Sequence, residues 1–148
     1  MLNLDLELLD RVLLSVRGLR CARVRLAEGG TLVLFLGTVS SDDASLTEWR
    51  LWIDCAWRYQ CGVADAVASL DDGHAILAEI RSLEGALLRS CERDSLGRDL
   101  VLRFDKKMEL KVFAHSTLDE AWEWRKADGY RVGLGPGLRL FEKVEARD

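Results

Sequence analysis

Over residues 4–16 apolar side chains return at helical intervals. Leu4, Leu8, Leu9, Val12 and Leu13 fall on one side, and Asp5, Glu7, Asp10 and Arg11 on the other. The pattern predicts an amphipathic helix, and Gly18 supplies a residue able to close it in left-handed geometry. The period then shortens to two. Cys21-Ala22-Arg23-Val24-Arg25-Leu26 reads as a strand with one wet face, Gly29-Gly30 as a turn, and Thr31 to Leu36 as a more deeply buried strand. Residues 37–45 are polar and loop-like. Residues 47–59 read as one Trp-rich strand region, and residues 61–72 as a connector. A short helix over 75–83 stops at Gly85. Leu100 to Phe104 and Glu109 to Phe113 alternate on either side of a turn at 105–107, and a polar loop occupies 114–120. Residues 121–125 and 130–132 form a hairpin around Asp128-Gly129, a pair that accepts positive φ. Gly133-Leu134-Gly135-Pro136-Gly137 is expected to end the sheet as a sharp turn.

These elements occur twice. A helix ending at Gly18 precedes a hairpin and a Trp strand; a helix ending at Gly85 precedes another hairpin and another Trp strand. Val24-Arg25-Leu26 aligns with Leu102-Arg103-Phe104, and Leu32 to Phe35 with Leu110 to Phe113. On this alignment residues 91–98 are an insertion in the second half. The expected architecture is α+β: mainly antiparallel β with short helices, one domain over residues 1–148. Two pseudo-repeated helix–hairpin–strand halves, roughly 13–59 and 76–137, would close around one core. Two copies are too few for a solenoid, so a pseudo-twofold arrangement is the better reading.

Composition fits such a core. The 148 residues are 49% hydrophobic and 31% charged, with a net charge of −4 from 21 basic and 25 acidic residues. A charge this small and this mixed gives no overall footprint for nucleic acid. The N-terminal residues lack the cationic start and apolar run of a secretory signal, and no apolar run reaches membrane-spanning length, which predicts a cytoplasmic protein without a membrane partner. In that setting Cys21, Cys55, Cys61 and Cys91 are expected as reduced, buried thiols.

Candidate chemistry is sparse. His115 beside Ser116 invites a nucleophile–base reading, but adjacent residues in an extended chain face opposite ways. Cys55 and Cys61 are too far apart in sequence for a zinc pair, and no histidine accompanies them. Asp42-Asp43 and Asp71-Asp72 have the composition of turns. The glycines around Pro136 lack the Lys-Ser/Thr and the helix that a phosphate cradle needs. No catalytic residue, metal site or cofactor is therefore assigned.

The five tryptophans carry more weight. Trp49 and Leu51 share one strand face and Trp52 takes the other, while Trp122 and Trp124 share a face. One face can form the core; the other needs cover from the chain itself, a second copy or a partner.

The second half also has a Leu-x-Gly helix end (Leu83, Gly85) and an alternating hairpin of Leu100, Leu102, Phe104, Val112 and Phe113. An acid–Trp strand follows (Glu120, Trp122), closing in Asp128-Gly129. Over roughly residues 76–137, with a weaker echo in 13–59, this resembles small bacterial domains, some of which are polymorphic-toxin immunity proteins. The absence of a catalytic constellation and the concentration of tryptophan in two related strands point to a non-catalytic protein-binding role, which the resemblance would make immunity-like, against a toxin-like partner or a second copy. Arg50, Trp52, Trp57 and Arg58 are the expected anchors of that interface, since aromatic and Arg residues dominate such centres. The alternative is a small-molecule-binding or hydrolytic groove between the halves, using Asp54, His115 and Glu120. A homodimer, in which a second copy covers one Trp face, is a third reading.

Overall fold

The computed structural model describes residues 2–3, 6–27, 29–38, 47–62, 67–68, 71, 73–114 and 119–144. The chain runs β1 (Leu2–Asn3), α1 (Leu6–Val16), β2 (Cys21–Leu26), β3 (Leu32–Leu36), β4 (Trp49–Ile53), β5 (Ala56–Cys61) and β6 (Val67–Ala68). It continues through α2 (Gly73–Ile80), a 3-10 turn at Arg81–Leu83, β7 (Leu88–Arg93), β8 (Leu100–Phe104) and β9 (Met108–Phe113). β10 (Trp122–Lys126), β11 (Tyr130–Gly135), a 3-10 turn at Pro136–Leu138 and β12 (Arg139–Val144) complete it. The fold is α+β, with two antiparallel sheets. The larger has the order β1-β12-β11-β10-β4-β3-β2 and the smaller β6-β5-β9-β8-β7. No described helix is long and apolar enough to cross a membrane.

The strand order contains an exchange. From its β2 edge the large sheet reads β2-β3-β4-β10-β11; from its β7 edge the small sheet reads β7-β8-β9-β5-β6. Each half supplies a helix and a three-strand meander, and its next two strands then join the other half's meander. By place in the strand order β2 corresponds to β7, β3 to β8, β4 to β9 and β10 to β5, which differs from the alignment drawn from sequence. Residues 88–93, part of which the sequence alignment set aside as an insertion, form strand β7, whose ladder is shifted between Leu88 and Ser90 as that of β2 is between Cys21 and Arg23. The Trp-rich region 47–59 is likewise two strands in two sheets. The chain passes between them at Asp54-Cys55, whose N–H groups both donate to the Ala121 carbonyl (2.8 and 3.1 Å). The sheet also outlasts Gly133–Gly137, since β11 runs to Gly135 and β12 follows the turn.

The halves meet around Arg20 and Leu87, which form an antiparallel bridge. The Gly18 N–H donates to the Leu88 carbonyl and the Gly85 N–H to the Cys21 carbonyl, each at 2.7 Å. Both glycines have positive φ (85° and 89°), the geometry that turns the chain from helix into this crossing. Arg17 and Glu84, each just before its glycine, protect the sheet edges. Arg17 Nε donates to the Arg89 carbonyl on β7, and Glu84 Oε2 accepts the Val24 N–H on β2, both at 3.1 Å.

The inward faces of both sheets form one hydrophobic cluster that includes Leu34, Leu51, Trp57, Tyr59, Leu102, Leu110, Trp122 and Trp124. Leu9, Val12, Leu13 and Val16 of α1 and Ile76 and Ile80 of α2 join it. α1 packs on β7, α2 on β6, and the turn at Arg81–Leu83 on β2. The helices thus close the sides of the core, and neither packs on the outer face of a sheet through these contacts.

Candidate protein-binding face

In an antiparallel ladder, directly opposed residues project to the same side. The large sheet's register therefore defines rows on its outer face. One row reads Arg23, Phe35, Arg50, Arg125, Arg131 and Lys143; the next reads Arg25, Val33, Trp52, Glu123, Gly133 and Phe141. β3 is buried on both sides, but only Leu32, Leu34 and Leu36 belong to the main core; Val33 and Phe35 form the floor of this outer face.

Packing on the floor is specific. The Arg125 guanidinium lies 4.2 Å from the Trp52 ring centroid, and that of Arg23 lies 5.9 Å from Phe35. Phe141 folds over β11: a Cβ placed on Gly133 would sit 3.0 Å from its ring and 2.6 Å from the Trp122 carbonyl oxygen. Only glycine admits both neighbours. Glu123 is 3% exposed and accepts hydrogen bonds from Arg125 (3.2 and 3.1 Å) and from Arg131 Nε and Nη2. A buried carboxylate needs such charge-assisted partners.

The small sheet's outer face has another character. Arg103 pairs with Glu92 (3.2 Å) and Glu109 (3.3 Å), and Lys111 pairs with Glu109 (3.5 Å). These are exposed or half-exposed pairs of mixed sign, the usual dressing of a solvated sheet.

The four residues expected to anchor an interface do not share a surface. Arg50 and Trp52 stand on the large sheet's outer face. Trp57 is 1% exposed and packs in the core, so it is corrected from interface to interior. Arg58 lies on the opposite sheet's outer face, with its guanidinium 5.7 Å from the Phe113 ring centroid. Glu123, Arg125 and Arg131 were not anticipated. Their signal was available, because a three-residue Ala127-Asp128-Gly129 turn sets Arg125 opposite Arg131.

The alternative groove does not assemble from the described residues. Asp54 is exposed and accepts a hydrogen bond from Thr31 Oγ1 (2.5 Å), Glu120 is exposed, and His115 lies outside the described residues. A hollow of about 500 Å³ beside α1 and β7 is lined by Leu13, Leu14, Cys91 and the Asp10–Arg93 pair; another, of about 490 Å³, is lined by Gln60, Gly62, Lys107 and Glu109. Neither includes Asp54 or Glu120. No group of three or more His, Cys, Asp or Glu that could hold a metal occurs among the described residues.

All four cysteines are free thiols. Burial pushes Cys21 and Cys55 up to about 12 and raises Cys91 further, which disfavours the nucleophilic thiolate. No family model, curated protein or solved structure matches the chain.

Proposed function

We propose that the chain is a non-catalytic protein-binding domain that acts by covering a surface of its partner. The outer face of the large sheet is its docking surface. One observation carries this reading. Arg and aromatic residues lie in register across that face, with Arg125 stacked on Trp52, whereas the small sheet's face is laced by ion pairs. Flat, pre-ordered Arg–aromatic surfaces have the composition of interface centres. Toxin neutralisation, as the immunity-like resemblance implies, is one form such occlusion takes, and it requires no reacting group on this chain.

Photo-crosslinking in the native cell tests the reading. A benzoylphenylalanine at position 50 or 52 should yield adducts to one distinct protein, and the same probe at position 103 on the small sheet should not. Equal adducts from both faces, or none from positions 50 and 52, would remove the assignment. Adducts to a second copy of this chain would replace occlusion of a foreign partner with self-association.

A further inference from the structure

The two sheets finish differently at the edges that their first meander strands form. On β2 the Glu84 carboxylate accepts the Val24 N–H at 3.1 Å. On β7, which holds the same place in the small sheet, the residue before the helix-closing glycine is Arg17 instead of an acid. A guanidinium only donates, so Arg17 covers the Arg89 carbonyl through Nε (3.1 Å) and can cover no N–H of that edge. Ladder parity shows which groups are left. The Asp94 N–H donates to the Asp99 carbonyl at 3.1 Å, so Glu92 and Ser90 also turn toward β8. Cys91 and Arg93 therefore present N–H and C=O to the free side, where among the described residues neither N–H meets an acceptor.

That free side is walled. Cys91 and Arg93 line the hollow of about 500 Å³ whose other wall is Leu13, Leu14 and Arg17 of α1. Leu14 is 64% exposed, one of three exposed large apolar side chains among the described residues. The Asp10–Arg93 ion pair (2.7 Å) marks one end of the hollow and Arg17 the other. A strand edge facing a helix flank across a hollow is a geometry in which an extended peptide adds to a sheet, through its backbone on one side and a side chain on the other.

Charge sets the direction of such a peptide. A strand added antiparallel to β7 runs from Arg93 toward Arg89 and brings its C-terminus to Arg17; parallel addition would bring an N-terminal ammonium there. Arg17 is exposed, and its Nε bond leaves the outer guanidinium nitrogens for a carboxylate. We propose that the hollow between α1 and β7 binds the extended C-terminal end of a partner protein. The tail pairs its backbone with Cys91 and Arg93, lays an apolar side chain on Leu14, and gives its terminal carboxylate to Arg17. This site is separate from the large sheet's outer face and stands whether or not that face docks a partner.

A random heptapeptide library displayed with free C-termini, panned against the whole protein, tests the proposal and supplies its probe. The recovered peptide, labelled at its N-terminus and followed by fluorescence anisotropy, should bind as the acid. Its C-terminal amide should bind about tenfold or more weakly. Arg17→Ala and, independently, the exposed Leu14→Asp should each raise Kd about tenfold or more, while Arg103→Glu on the small sheet's outer face should leave it within about twofold. Amide hydrogen exchange gives a second readout: the acid peptide should slow Cys91 and Arg93 and leave Val24 unchanged. Failure to recover any peptide, equal affinity of acid and amide, binding that survives both substitutions, or unchanged exchange at Cys91 and Arg93 would each overturn the proposal. Crosslinks from positions 50 and 52 would be unaffected by any of these results.

Discussion

Trp122 and Trp124 sit two residues apart on β10, both facing the core and both essentially buried, yet their indole groups are in different states. Trp122 Nε1 donates to the Arg98 carbonyl at 2.7 Å, while Trp124 Nε1 is buried without an acceptor. Burying a donor without a partner costs about 1–3 kcal/mol. Replacing Trp124 with Phe removes that orphan group while keeping much of the ring, which also makes an edge-on contact with Trp49 at 6.4 Å. Replacing Trp122 with Phe instead breaks a bond and strands the Arg98 carbonyl. Trp122→Phe should therefore destabilise the fold by roughly 1–2 kcal/mol more than Trp124→Phe, read as the difference in urea midpoint at constant slope. Equal losses would mean that ring volume alone sets the cost at both positions.

The β8–β9 hairpin shows how an element can keep an unfavourable turn. Lys106 and Lys107 both adopt positive φ (57° and 60°), and the Met108 N–H closes the turn on the Asp105 carbonyl at 3.3 Å. This backbone suits Asn-Gly, and side chains with a full Cβ pay roughly 1 kcal/mol per residue to enter it. Converting the pair to Asn-Gly should raise unfolding free energy by about 1 kcal/mol, measured by denaturation, with the sheet's circular dichroism unchanged. The hairpin itself was legible because alternation on either side of the lysines is regular. Strand β7 was not, because its bulge places the buried Leu88 and Cys91 three residues apart and breaks the period of two. β12 was hidden for another reason: Leu140 and Phe141 are adjacent, one turned to the core and one to the outer face, so no alternation marks it. At the candidate face, parity along β4 separated Trp52 from Trp49 and Leu51 correctly. Trp57 shares the odd parity of Trp49, Leu51 and Ile53 and is buried with them, so parity carried through Asp54-Cys55 places it inside; what no local residue pattern announces is the change of sheet there.

At the scale of the molecule, the exchange of strands ties the sheets together. β5 and β6 from the first half complete the small sheet, and β10 and β11 from the second complete the large one. Neither half can open alone without stripping strands from the other. The cysteines report on this from both sides, since Cys21 lies on β2 of the large sheet and Cys91 on β7 of the small one. Burial raises both thiols far above their ordinary value, so at pH 8 labelling requires opening rather than ionisation in place. The same burial sets a pH dependence. A thiol whose folded pKa is raised contributes stability that is fully present below its unfolded value of 9.0. For Cys21 and Cys55 that contribution is lost as pH climbs from there through about 12. Thermal midpoints should accordingly fall above pH 9, and Cys21→Val should flatten part of the decline; an undiminished slope in that variant would exclude the thiol as its source. Near neutral pH the two sheets should unfold as one. Pulse alkylation of Cys21 and Cys91 across a urea series, resolved by peptide mass, should give a single midpoint for both, coincident with the loss of tryptophan fluorescence. Separate midpoints would show that one meander persists after the other has lost its borrowed strands, and the exchange would then be a feature of connectivity without energetic consequence.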